Sequence, residues 1–196
     1  MRAPARSRES VHDANKRRIE PLRQALRSSD LGRVRYALLD IFAPDAVIRL
    51  GHPFGELTGP DELWSQVYAP LFAAMPDMER ADFMVMVGPR RGGREAGDWV
   101  GLGDNIFGTH RAPWLGIPAT RRATFLRYLK YLRIEGGRVV EMEGLWDIPQ
   151  LMLQAGAWPM APQLGLDWLC PGPAHGTGVI TVAHDAHKAD ASVQLV

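Results

Sequence analysis

An α+β domain, with N-terminal helices packed on a curved antiparallel sheet around an apolar pocket holding a few polar residues, is the fold class this sequence predicts. Three observations predict it. Apolar residues recur at helical spacing from Ile19 up to Pro76. Residues alternate in strand fashion from Phe83 to about residue 147. Two long strand-like runs in that second half are joined by Gly136-Gly137, the residues a tight hairpin turn prefers because its centre needs positive φ.

Taken in order, Ile19, Leu22 and Leu26 mark a first helix. Leu31, Val34, Leu38 and Ile41 mark a second, after the polar break Ser28-Ser29-Asp30, with Asp30 as its N-cap. Ala46 to Leu50 reads as a first strand, ended by Gly51, Pro53 and Gly55. Thr58-Gly-Pro-Asp61 fits a capping box, and Leu63, Val67 and Leu71 follow on one face beside Trp64 and Tyr68. Beyond Pro76, Phe83, Val85 and Val87 alternate. Trp99 to His110 forms a long strand in which Gly101, Gly103 and Gly108 mark bulges or bends. Ala123 to Glu135 and Arg138 to Asp147 form the hairpin.

The Gly-Gly turn sets a register. Glu135 faces Arg138, and counting outward puts Leu132 against Glu141, Lys130 against Glu143, Tyr128 against Leu145 and Leu126 against Asp147. One face then carries Leu126, Tyr128, Leu132, Ile134, Val139 and Leu145 with Lys130, Glu141, Glu143 and Asp147 among them. The other carries Phe125, Tyr131, Met142 and Trp146, an apolar strip expected to be covered by a second copy in a homodimer.

At 196 residues and 46% hydrophobic content, one core accounts for the chain. The expected division is a mobile basic arm over 1–13, the α+β domain over 14–160 and a partly disordered tail rich in Gly, Pro and His over 161–196. With 23 basic against 22 acidic residues, no nucleic acid and no membrane surface is favoured as partner. Neither a secretory apolar core ahead of Ile19 nor a membrane span of about 20 residues is present, so the expected location is cytoplasmic. The lone Cys170 excludes an internal disulfide and a cysteine-rich metal site. His184, Asp185 and His187 have a spacing that touches metal in other settings, but without further ligands no metal is expected.

Several stretches carry a family resemblance. Gly108-Thr-His110, then Trp114-Leu-Gly-Ile-Pro-Ala-Thr120, then Arg133-Ile-Glu-Gly-Gly-Arg-Val-Val-Glu141, then Asp147 followed by Leu151, Gln154, Ala155 and Gly156, resemble the SnoaL-like polyketide cyclases, also called ester cyclases. The resemblance spans roughly residues 30 to 160. It implies the cone-shaped nuclear-transport-factor-2-like fold and, from the best-studied members, ring closure by intramolecular aldol condensation without metal or organic cofactor. It places the family's pocket histidine at His110 and the family's acid, three residues before Arg133, at Lys130. That is a departure, since a lysine stands where relatives carry a carboxylate. Other proteins of this fold are isomerases, hydrolases, dehydratases or plain binders.

The candidate catalytic residues are therefore His110, Lys130 and Asp147. Lys130 is either half of a structural ion pair with Glu143 or a pocket lysine that acts as a base or holds an enolate. His110 is either a proton shuttle or a hydrogen-bonded structural group. Asp147 is either a site carboxylate or the cap of a helix starting near Pro149. Asp104, mid-strand, is a candidate for the missing carboxylate. Trp64, Tyr68, Trp114 and Tyr128, with Asp104 and Glu143, complete the expected pocket. Its expected ligand is a small apolar or aromatic carbonyl compound, bound without a cofactor.

Overall fold

The computed structural model describes residues 11–89, 97–161, 178–179 and 186–194. Two helices open it, α1 (Val11–Ser28) and α2 (Leu31–Ile41), followed by β1 (Phe42–Leu50) and β2 (Gly55–Thr58). A helical stretch comes next, made of α3 (Gly59–Glu62), a π-helical turn (Leu63–Tyr68) and α4 (Ala69–Ala74). Four long strands follow, β3 (Glu79–Pro89), β4 (Asp98–Thr109), β5 (Ala123–Glu135) and β6 (Arg138–Trp146), and then α5 (Ile148–Gln154). Part of the expected tail is ordered as β7 (Gly178–Val179) and α6 (Ala186–Val193). α1 begins inside the expected arm, at Val11, while Met1–Ser10, Cys170, His184 and Asp185 lie outside the described residues.

The seven strands form one sheet in the order β2-β1-β6-β5-β4-β3-β7. Its central pairs are antiparallel, while β1 runs parallel to β6 and β7 parallel to β3. The helices cover one face. Ile19, Leu22 and Leu26 of α1 and Val34, Leu38 and Ile41 of α2 are buried there, but Leu31 is exposed. Asp30 caps α2 as expected, accepting from Arg33 N at 3.0 Å. The box at Thr58 closes differently: the Thr58 hydroxyl makes no cap bond, and it is Glu62, not Asp61, whose carboxylate accepts from Thr58 N at 2.7 Å.

The π-helical turn adds a residue to the helical register. Val67 and Tyr68 therefore both turn inward, with Leu63 before them and Leu71 and Phe72 after.

Two bulges decide which side chains share the covered face. In β3 the pairing passes from Asp82↔Asp104 to Met84↔Gly103, which leaves Phe83 as the extra residue. Its ring lies over Gly103 on the outer face, where a Cβ would come within 2.6 Å of it. Gly101 and Gly103 thus give room to side chains above a regularly paired β4 rather than bending it. In β6 the pairing passes from Ile134↔Val139 to Arg133↔Glu141, so Val140 is extra.

That second bulge overturns most of the expected hairpin register. Lys130 faces Gly144, Tyr131 faces Glu143 and Tyr128 faces Trp146. A shift of one residue sends every later side chain of a strand to the other face. Met142 and Trp146 are consequently buried under the helices, while Leu145 stands exposed on the outer face. Glu141 also points outward, where Arg49 and Arg133 cover it from both sides.

Candidate functional site

On the helix-covered face, β4 contributes Val100, Leu102, Asp104 and Ile106, and β5 contributes Leu126, Tyr128, Lys130 and Leu132. Asp104 lies opposite Tyr128, so Lys130 is its diagonal neighbour, a separation a lysine side chain spans. Lys130 Nζ donates to Asp104 Oδ2 at 2.6 Å, with the two side chains 3% and 1% exposed. The expected Lys130–Glu143 pair does not form. Glu143 sits on the outer face beside Tyr131, bordering a groove of about 380 Å³ with Met86, Trp99 and Gly101.

The second cation of this centre is Arg80, which sequence reasoning missed. It lies on β3 opposite Ile106, and Nη1 approaches Asp104 Oδ1 at 3.5 Å, both side chains being 1% exposed. Its guanidinium carbon sits 5.6 Å from the Tyr68 ring centre and 5.9 Å from that of Trp146. Asp82, facing Asp104 across the strands, is held by Arg23 of α1 at 2.7 Å and 3.0 Å. One signal for Arg80 was present in the sequence: Arg80 and Asp82 are two charges at strand spacing just before the apolar run. It was hidden because the alternation Phe83-Val85-Val87 breaks at the bulge.

Aromatic rings wall the centre. Tyr128 stacks on Trp146 with ring centres 3.7 Å apart and planes 9° from parallel. Trp114 meets Trp146 edge-on at 5.7 Å and Phe54 at 6.0 Å. It is carried there by a tight turn in which Trp114 and Ile117 bond backbone to backbone across Leu115 and Gly116, both at positive φ. Gly144 makes room for the tyrosine, since a Cβ there would meet Tyr128 Oη at 2.9 Å and Leu50 Cδ2 at 2.7 Å. Burial first, and then the neighbouring Tyr68 and Asp104, push the Tyr128 phenol well above its ordinary value, with Arg80 pulling the other way. The phenol therefore stays protonated and can donate.

The remaining expected residues are placed as follows. Tyr68 is buried in the wall, whereas Trp64 is only half-buried and packs against Phe72. His110 is fully buried just past the end of β4, and neither ring nitrogen has a hydrogen-bond partner among the described residues. Burial lowers its pKa, with the Ala112 backbone acting in the other direction. Six positions along a strand separate it from Asp104, about 20 Å for a straight strand, so the two do not touch. Asp147 caps α5, accepting from Gln150 N at 3.3 Å. Gln154 then clamps α5 to β5 by bonding both Phe125 N, at 2.9 Å, and Phe125 O, at 2.6 Å. Among the described residues no cluster of three or more His, Cys, Asp or Glu could hold a metal ion, and no helix is long and apolar enough to cross a membrane.

A helix-covered sheet that buries polar groups within its apolar face defines the class first: an α+β protein of the nuclear-transport-factor-2-like fold. A protein of that fold from Burkholderia pseudomallei superimposes with a TM-score of 0.51 at 18% identity, covering 72% of this chain and 97% of its own. The family follows from sequence, since residues 22–155 match the family model described as SnoaL-like polyketide cyclase. This chain belongs to the SnoaL-like polyketide cyclase family. IdmH of Streptomyces antibioticus, a candidate polyketide cyclase, is 28% identical, with a TM-score of 0.53 over 72% of this chain and 98% of its own. A candidate SnoaL-like polyketide cyclase from Jannaschia sp. CCS1 shares the fold at 18% identity, with a TM-score of 0.60 over 78% of this chain and 99% of its own. No curated protein matches the chain.

Proposed function

We propose that this chain is a cofactor-free acid/base enzyme, of cyclase, isomerase or hydrolase type, acting on a small and largely apolar carbonyl compound bound at the helix-covered face. The observation that carries this reading is the pair Lys130–Asp104, 2.6 Å apart and almost wholly buried beside Tyr128 in an aromatic wall. Replacing a buried ion pair by apolar packing is often neutral or stabilising by about 1–4 kcal/mol, so stability alone gives no reason for it.

In a cyclisation, the Asp104 carboxylate takes a proton from the carbon next to a carbonyl. The C–H electron pair becomes an enolate whose oxygen is met by the Lys130 ammonium and the Tyr128 phenol. The enolate carbon adds to a second carbonyl of the same molecule, a C–C bond forms, and the new alkoxide recovers the proton from Asp104. His110, kept neutral near pH 7 by burial, suits a role toward a distal oxygen of the ligand. The similarity to IdmH supports the class of reaction.

The same pair favours a second reading, a non-catalytic binder, because Lys130 and Asp104 already satisfy each other. Turnover of aromatic β-keto esters, followed by mass-resolved chromatography, separates the two. Asp104→Asn should cost about 10²–10⁴-fold in rate, the usual worth of a positioned acid or base. Undiminished turnover in that variant refutes the role of Asp104, and tight binding without turnover in the wild type selects the binder. We also propose that the outer sheet face, exposing Phe107, Tyr131 and Leu145, pairs two copies of the chain.

A further inference from the structure

We infer that the ligand carries a carboxylate on a planar aromatic frame and that Arg80 receives it. This rests on the proposed reading of the helix-covered face as a small-molecule site and adds the class of molecule it takes. Arg80 is the cation there that makes no hydrogen bond among the described residues. Its side chain is 1% exposed, and none of its three nitrogens has a hydrogen-bond partner among the described residues. Its contact with Asp104 Oδ1 is an ion pair at 3.5 Å without a hydrogen bond, and the other oxygen of Asp104 is taken by Lys130. Asp82, the next carboxylate, is held by Arg23, which also holds Glu20 at the rim.

One carboxylate, Asp104, thus answers two buried cations, and among the described residues the five N–H donors of Arg80 make no hydrogen bond. Burying two cations against one carboxylate is costly unless a second anion meets them. Water would supply hydrogen bonds but not the charge. Of the other unpartnered groups around it, Trp114 Nε1 and Trp146 Nε1 can only donate and the Tyr128 phenol can donate too, while Asp104 Oδ1 alone can only accept. A ligand suited to this face is rich in acceptors.

Planarity comes from the surroundings. The guanidinium lies near the rings of Tyr68 and Trp146, and Trp146 is itself stacked on Tyr128. Arginine offers a flat fork that takes both oxygens of a carboxylate with parallel hydrogen bonds, in a way a lysine cannot. A flat acid can hold its carboxylate in that fork while its ring lies against the aromatic wall.

The test is titration calorimetry of the full chain with 2-naphthoate and with its methyl ester, which share shape but not charge. Binding of the acid at least tenfold tighter than the ester, with that preference lost in Arg80→Gln, is the expected result. Equal affinity for acid and ester in the wild type overturns the inference while leaving the small-molecule site standing. Binding of neither overturns both. A preference that survives Arg80→Gln also overturns it, by assigning the anion to another cation. Should Arg80→Gln fail to fold, Arg80→Lys takes its place: it keeps the charge but not the flat fork, and an undiminished preference for the acid overturns the inference. Asp104→Asn supplies an independent reading: with the competing carboxylate neutralised it should bind 2-naphthoate as tightly as wild type or more so, and weaker binding counts against an anion at Arg80.

Discussion

Lys130→Met and Asp104→Asn, made singly and together, test the pairing on which the site depends. Breaking one side of a buried ion pair costs about 3–5 kcal/mol, because the remaining charge is stranded. Lys130→Met leaves Asp104 with Arg80 at 3.5 Å, so its cost belongs at the lower end, about 3 kcal/mol. Asp104→Asn strands both cations and should cost about 4 kcal/mol or more. The double variant removes the stranded ammonium along with its partner. It should therefore be no less stable than Asp104→Asn alone, which gives a coupling of about 3 kcal/mol.

Urea unfolding measures these differences, and thermal melts check them. At about 2–4 °C per kcal/mol for a chain of this size, Lys130→Met should melt roughly 6–12 °C below wild type. Additivity within about 0.5 kcal/mol would refute the pairing. Lys130→Met combined with Glu143→Gln provides the control, because the hairpin register without its bulge pairs those two residues. The structure sets them on opposite faces, so that cycle should be additive.

Three further outcomes follow from single features. His110, with its pKa lowered by burial from 6.5, binds fewer protons folded than unfolded. Stability should therefore fall as pH drops below about 6.5 toward the folded value, and His110→Phe should flatten that window in melts taken from pH 7 to pH 5. Asp77, lowered by hydrogen bonds from Thr109, loses its contribution only as pH falls below 3.8 and so does not confuse the measurement. Gly144→Ala places a Cβ against Tyr128 Oη and Leu50, and should cost about 1–3 kcal/mol while changing the near-ultraviolet dichroism of the Tyr128–Trp146 stack. An unchanged spectrum would show that the tyrosine does not fill that space. Light scattering should give twice the chain mass for wild type and a monomer for Leu145→Lys with Phe107→Lys; a wild-type monomer at all concentrations refutes the outer-face dimer.

The helices were legible because each shows a period that survives in the folded chain: Ile19, Leu22 and Leu26, or Val34, Leu38 and Ile41, need only a face to bury. The β5 side of the hairpin was legible for the same reason. The β6 side was not, since one extra residue at Val140 reverses every later side chain and no local preference announces it. A conflict did announce it indirectly. Without the bulge, Glu141 and Glu143 would enter the core while Met142 and Trp146 left it, the reverse of what burial favours. Asp104 was visible as an acid inside a strand, but its partner was not. That partner lies on the next strand at a diagonal, and only the register of β4 against β5 brings the two together. Arg80 stayed hidden for a related reason, its strand being broken by the bulge at Phe83.

The resemblance puts Lys130 where an acid is expected, and in the folded chain a carboxylate, Asp104, stands 2.6 Å from it on β4. An isolated pair should tolerate being reversed, and the variant Asp104→Lys with Lys130→Asp tests whether this one is isolated. Arg80 makes it otherwise. It faces position 104 at 3.5 Å, so reversal sets an ammonium against a buried guanidinium and withdraws the carboxylate paired with it. The reversed variant should be less stable than wild type by several kcal/mol, and adding Arg80→Gln should recover a large part of the loss. If reversal proves neutral, Arg80 is electrically separate from Asp104 and the three residues do not act as a unit. If the loss appears but Arg80→Gln fails to relieve it, packing around the displaced side chains is the cause, and the charge of Arg80 is already met by a group other than Asp104.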